Sequence, residues 1–142
     1  MDDFQKTISN IFDHLKSNCD GNVADYIPQL AKVNPDLFAI SVCDTSGRVF
    51  NIGDTEIDFC LQSCSKPLMY CMARHKYKNK IHKHIGYEPS GQAFNAFVLD
   101  KEGHPHNPMI NAGAIMTCSL IEPDLEPALR FDAIQENIKR MS

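Results

Sequence analysis

The stretch FCLQSCSKPLMY, residues 59–70, decides how this chain reads. Three small polar or nucleophilic side chains, Ser63, Cys64 and Ser65, run directly into Lys66 and Pro67. Pro67 belongs in the first turn of a helix, where its missing N–H costs nothing. A helix is therefore expected to begin at about Ser63. Residues three apart on a helix share a face, so Ser63 and Lys66 are expected within hydrogen-bond reach, whereas Ser65 points elsewhere. A serine hydroxyl is a poor nucleophile until a base takes its proton, and a lysine does so only as the neutral amine. The positive end of a helix and desolvation both favour that form. Backbone N–H groups at the helix start would hold an oxyanion. The bland reading is that Ser63 caps a helix and Lys66 is solvated. Phe59, Leu61 and the apolar run after Pro67 argue instead that the motif is buried, where a lone lysine needs a reason. The S-D-N and K-T-G companions of serine–lysine acyl enzymes are absent from the sequence.

The rest of the chain supplies a scaffold for this motif. FQKTISNIFDHLKSN (4–18) places Phe4, Ile8, Ile11, Phe12 and Leu15 on one helical face, and Cys19–Asp20–Gly21–Asn22 ends it. VADYIPQLAKV (23–33) reads as a second short helix with Pro28 near its first turn. LFAISVCD (37–44) and VFNIGD (49–54) flank TSGR and predict a hairpin. PLMYCMARHKY (67–77) reads as helix, KIHKHIG (80–86) as a brief helix closed by Gly86, and residues 87–108 as loop. MINAGAIMTCSLI (109–121) predicts a buried helix, and PALRFDAIQENIKRM (127–141) an amphipathic one that runs to the last residues, as in a sequence that continues. Helices with a hairpin predict an α/β or α+β domain, helices packed on an antiparallel sheet, although two strands are few for a sheet, which leaves further strands outside the chain or a misread segment at 93–100.

Composition narrows the function. The 142 residues are 43% hydrophobic and 23% charged, with a net charge of −4; these values suit one globular domain over residues 1–142. No basic block points to nucleic acid, no apolar run is long enough to span a bilayer, and the acidic N-terminus resembles neither a secretory signal nor a transit peptide. The expected compartment is cytoplasmic, with mitochondria as the alternative if a transit peptide precedes the sequence. The six cysteines, most in apolar segments, are expected to be reduced and buried. The pairs His82/His84 and His104/His106 raise a zinc site, but four convergent ligands are needed and no C-x-x-C pair exists, so neither metal nor cofactor is expected. His106 before Asn107–Pro108 is expected to order a loop. A cysteine hydrolase using Cys64 fails on geometry, since its i+3 and i+4 neighbours are Pro67 and Leu68.

Several separated stretches occur in one order: DYIPQLAKV (25–33), GDT (53–55), FCLQSCSKPLMY (59–70), GYEPSGQAFN (86–95) and HPHNPMINAGAI (104–115). From about Val23 to Ile121 the chain resembles the serine-dependent glutaminase family, whose fold is that of serine β-lactamases and penicillin-binding proteins. The resemblance implies hydrolysis of L-glutamine to L-glutamate and ammonia through a γ-glutamyl-serine intermediate, in a homo-oligomer, dimer or tetramer. It implies Ser63 as nucleophile, Lys66 as its partner, and Tyr26, Gln62, Ser63 and Asn111 as substrate-binding residues. The family domain continues past this sequence, with a glutamate, an asparagine, tyrosines and further strands, so the chain is expected to be the N-terminal portion of a catalytic domain. The family's activation-loop stretch, commonly Gly-Leu-Arg-Phe-Asn, here reads Gly91–Gln92–Ala93–Phe94–Asn95, without its basic residue. The alternative from another class is a truncated, inactive interaction or regulatory module.

Overall fold

Helix α1 spans Asp3–Leu15 and starts on an acceptor supplied by the residue before it: the Asp2 carboxylate takes the N–H of Gln5 at 2.8 Å. The computed structural model describes residues 2–141, and these divide into two compact units, one ending at Cys60 and one beginning at Leu61.

In the first unit, strands β1 (Ala39–Cys43) and β2 (Val49–Gly53) form an antiparallel hairpin in which Ser41 faces Asn51. The alternation of half-buried Ile40, Val42, Phe50 and Ile52 with exposed neighbours is the period-two pattern of a sheet covered on one face. Helix α1 covers that face: Phe12 stacks on Phe38 with ring centroids 5.1 Å apart and its ring reaches Gly53. Gly53 has φ +82°, and a Cβ there would lie 2.6 Å from the Phe12 ring, so both conformation and space require glycine. Asp44 closes the turn, accepting from the N–H groups of Ser46 and Arg48, the Ser46 hydroxyl and the Arg48 guanidinium. The Ser46 hydroxyl first, and then Arg48, hold its carboxyl well below the usual carboxylate range.

In the second unit, helix α2 (Ser65–Tyr77) packs against helix α3 (Asn111–Leu120). Met69 and Ala73 of α2 join Ile81, Ile85 and Ile121 in the core, and Ile134 and Ile138 of helix α4 (Pro127–Met141) pack on it. Ile81 and Ile85 are fully buried; truncating either to alanine costs about 2–5 kcal/mol. Thr117 is buried too, and its hydroxyl is satisfied by the Gly113 carbonyl at 2.8 Å.

Four expectations are corrected. The helix expected over 23–33 is a single 3-10 turn, Leu30–Lys32. Pro28 brings no N–H and Pro35 disfavours helix before it, so the pairing stops after one turn, with the Ile27 carbonyl accepting from Leu30 and Ala31 and the Leu30 carbonyl from Val33. Residues 78–83 form a 3-10 segment after Lys78 turns to φ 52°, and Gly86 is not its cap. Gly86 instead lets two backbones touch: its N–H donates to Pro105 at 2.8 Å, and a Cβ would lie 2.6 Å from the His106 carbonyl oxygen. The helix over 109–121 buries Ala112, Gly113 and Thr117 but leaves Ile115 71% exposed, because small residues occupy the face turned to the core. The cysteines are free, but Cys19, Cys43, Cys60, Cys64 and Cys71 are exposed and Cys118 only half-buried. Cys43 falls on the open face of β1 and Cys71 on the outer face of α2, positions that local apolar composition does not reveal. Within 93–100 the sole pairing is the bridge of Leu99 with Pro105.

Two outcomes follow. A carboxyl whose value is depressed by folding stabilises the fold above its unfolded value, about 3.9, and loses that contribution as pH falls towards the folded value. The hairpin therefore weakens below about pH 4, seen as loss of cross-strand NOEs between Ser41 and Asn51, and Asp44→Asn flattens that dependence; an unchanged profile in the variant would count against the turn's role. Burial pushes the Cys118 thiol up, so in iodoacetamide labelling read by mass spectrometry it lags the five exposed cysteines by about tenfold or more.

Candidate active site

Between Leu61 and helix α2 the backbone makes a 3-10 turn, Gln62–Cys64, and α2 begins at Ser65 rather than Ser63. Gln62 enters the turn at φ 45°, a left-handed conformation that is uncommon for a residue with a side chain and concentrates at functional sites. The Ser65 hydroxyl donates to the Gln62 carbonyl at 2.8 Å and so serves as a local tie across the turn.

The expected burial of this motif is corrected: Phe59 is 78% exposed, and Leu61, Gln62 and Ser63 are also exposed. The 3-10 turn at the surface end of α2 leaves Gln62 and Ser63 open to solvent, while Lys66, in the first turn of α2, is half-buried. Lys66 Nζ donates to the Met109 carbonyl at 3.0 Å and to Asn111 Oδ1 at 2.8 Å. It also lies 6.0 Å from the centroid of the Phe94 ring, within the range in which an aromatic face attracts a cation. Among the described residues Lys66 makes no hydrogen bond to Ser63. Lys66 and Asn111, chosen from separate motifs, are thus brought together. Tyr26 lies in the first unit, exposed in the turn before Ile27.

Asn111 is the first residue of α3, and its N–H donates to the Phe94 carbonyl at 2.9 Å. Phe94 and Met109 are contributors to the Lys66 environment that the sequence reading did not single out, the first lying in the loop Gly91–Asn95. A hydrogen bond to a backbone carbonyl carries no residue signature, so Met109 left no signal to find.

The histidine pairs lie elsewhere. A cavity of about 590 Å³ is lined by His82, Tyr87, Glu88, Asp100, His104 and His106, among others, and none of the candidate residues lines it. His82 is held by the Ile85 carbonyl at 3.1 Å and Tyr70 at 3.4 Å. The Asp100 carboxyl is held below its ordinary range, chiefly by the His104 N–H with help from that of Glu102. Among the described residues no group of three or more His, Cys, Asp or Glu is placed to hold a metal ion, and no helix is long and apolar enough to cross a membrane.

The sequence profile of the family described as Glutaminase matches residues 21–142. The chain belongs to the glutaminase family. Over its full length it is 44% identical to the mitochondrial liver isoform of glutaminase of Mus musculus and spans 24% of that protein. A glutaminase of Nostoc sp. is 46% identical over 82% of this chain and 36% of the relative. The fold agrees: the native form of the protein Mglu superposes with a TM-score of 0.84 at 33% identity, over 96% of this chain and 34% of Mglu. A probable glutaminase gives 0.85 at 31% identity, over 96% and 46%. The expected α+β, β-lactamase-like class therefore holds, with the sequence here covering about a third of the solved Mglu chain.

Asn111→Ala removes a half-buried acceptor from a lysine donor, so it is expected to cost about 0.5–1.5 kcal/mol, the net range for a typical hydrogen bond. Urea unfolding measures this; stability equal to wild type would mean solvent replaces Asn111 without loss.

Proposed function

We propose that this chain is the N-terminal portion of one glutaminase catalytic domain and takes part in hydrolysis of L-glutamine to L-glutamate and ammonia. The observation that carries this reading is the meeting of Lys66 with Asn111, a lysine and an amide drawn from two motifs 45 residues apart.

In this reading Ser63 attacks the γ-carboxamide carbon, its hydroxyl proton passes to Lys66, and the oxyanion collapses as Lys66 gives that proton to the departing nitrogen, which leaves as ammonia. Water then cleaves the γ-glutamyl-serine ester, releasing glutamate and restoring the hydroxyl. A neutral lysine has two N–H bonds and one lone pair. With the N–H bonds directed at Met109 and Asn111, only the lone pair is left to receive a proton. Ser65, whose hydroxyl is spent on the Gln62 carbonyl, is the poorer nucleophile, which favours Ser63. Gln62, Asn111 and Tyr26 are assigned to glutamine's polar ends, which need several contacts in a small pocket. The protein Mglu has been solved in a glutamate form, which agrees with this substrate class.

The protein is proposed to act as a homo-oligomer, in the cytoplasm; the alternative compartment is the mitochondrion, for which the mouse relative is named. The second reading, an inactive interaction module, draws on the exposure of Gln62 and Ser63.

The test is ammonia release from glutamine by the natural full-length protein. Ser63→Ala is expected to abolish it and Ser65→Ala to retain a measurable fraction. Lys66→Arg is expected to fail like Lys66→Ala, with kcat falling far more than KM rises, since arginine stays protonated. Equal loss in both serine variants would undo the assignment, and no release by the wild-type protein would favour the interaction module.

A further inference from the structure

Helix α3 begins without help from its own N-cap residue. Ile110 occupies that position and offers no side-chain acceptor, although the first N–H groups of a helix need one. Asn107 does not cap the helix itself but fixes the two residues that lead into it. Its Oδ1 accepts from the N–H groups of Met109 at 3.0 Å and Ile110 at 3.1 Å, while its Nδ2 donates to the Glu88 carbonyl at 2.9 Å. Two N–H groups on one side and a carbonyl on the other fit only one orientation of the amide. Pro108 keeps Asn107 out of the helical conformation, which frees its side chain to reach forward. Gly113 completes the fit, since a Cβ there would run into the Asn107 carbonyl oxygen.

Of the two residues fixed by this arrangement, Met109 holds Lys66 directly, accepting from Nζ through its carbonyl, and Ile110 immediately precedes the other residue that does, Asn111. We propose that Asn107 is a positioning residue, which sets the Met109 carbonyl and Asn111 amide against Lys66 by tying the start of α3 to the segment at Glu88. The inference rests on the glutaminase reading for its catalytic meaning, but its geometry is tested separately.

The experiment is trace labelling of lysines with acetic anhydride in the natural full-length protein, read residue by residue by mass spectrometry. Lys76, paired with Glu122 at 3.1 Å, is the internal control. In Asn107→Ala, labelling of Lys66 is expected to rise about threefold or more relative to Lys76, the factor released when a hydrogen bond of ordinary net strength is lost. Asn107→Asp keeps the acceptor for Met109 and Ile110 and is expected to fall between wild type and Asn107→Ala. If labelling of both lysines rises together in Asn107→Ala, the variant has lost its fold and Asn107→Asp decides. An unchanged Lys66 to Lys76 ratio in a folded variant overturns the proposal. Glutamine turnover gives the second arm: kcat is expected to fall about 10- to 100-fold in Asn107→Ala, as for a displaced catalytic group. A shift in labelling with no turnover by the wild-type protein would defeat the glutaminase reading alone; normal turnover with unmoved labelling would defeat the positioning role alone.

Discussion

Lys66 has to put its polar end somewhere, and the second unit is arranged around where it goes. The side chain leaves the first turn of α2 half-buried, so its Nζ needs acceptors supplied by protein. They come from a single place, the entry to α3, as the Met109 carbonyl and Asn111 Oδ1. That pair of hydrogen bonds fixes the start of one helix against the start of the other. The apolar contacts of Met69 and Ala73 with Ile81, Ile85 and Ile121 then supply most of the cohesion. Burial is not directional and would tolerate some sliding between helices; hydrogen bonds to a carbonyl and an amide do not.

The entry to α3 is held from several sides for the same reason. Phe94 accepts the Asn111 N–H and presents its ring towards Lys66, while Glu88 donates its N–H to the His106 carbonyl and accepts from the Asn107 side chain. Loops crossing a surface are ordinarily the mobile part of a domain. Here the segment from Gly86 to Pro108 is pinned at Gly86, Glu88, Phe94 and Asn107, and it carries that order to the residues facing Lys66. Ser63, by contrast, stands at an exposed turn entered through the left-handed Gln62, open to whatever substrate or further structure meets it.

Much of the architecture was legible in the sequence because it follows local rules. The apolar spacing of Phe4, Ile8 and Phe12 specified α1, the β-branched runs around Gly47 specified the hairpin, and Ser63, Lys66 and Asn111 stood out through motifs. Misreadings fell where a local rule met a distant neighbour. Gly86 reads as a helix terminator, yet it is small because the His106 carbonyl needs its space. The cysteines read as buried because their immediate neighbours are apolar, yet burial depends on which face an element turns to its partner.

The sequence by itself therefore determined the type and order of the elements and the chemistry available in them, since both are written in periodicity and residue type. Only the tertiary structure decided that Lys66 meets Asn111 and Met109, that the Ser65 hydroxyl is occupied, and that Asn107 braces the residues leading into α3. Those pairings join residues far apart in sequence, or use backbone carbonyls that every residue carries. Spacing along one chain holds no record of them until packing brings the segments together.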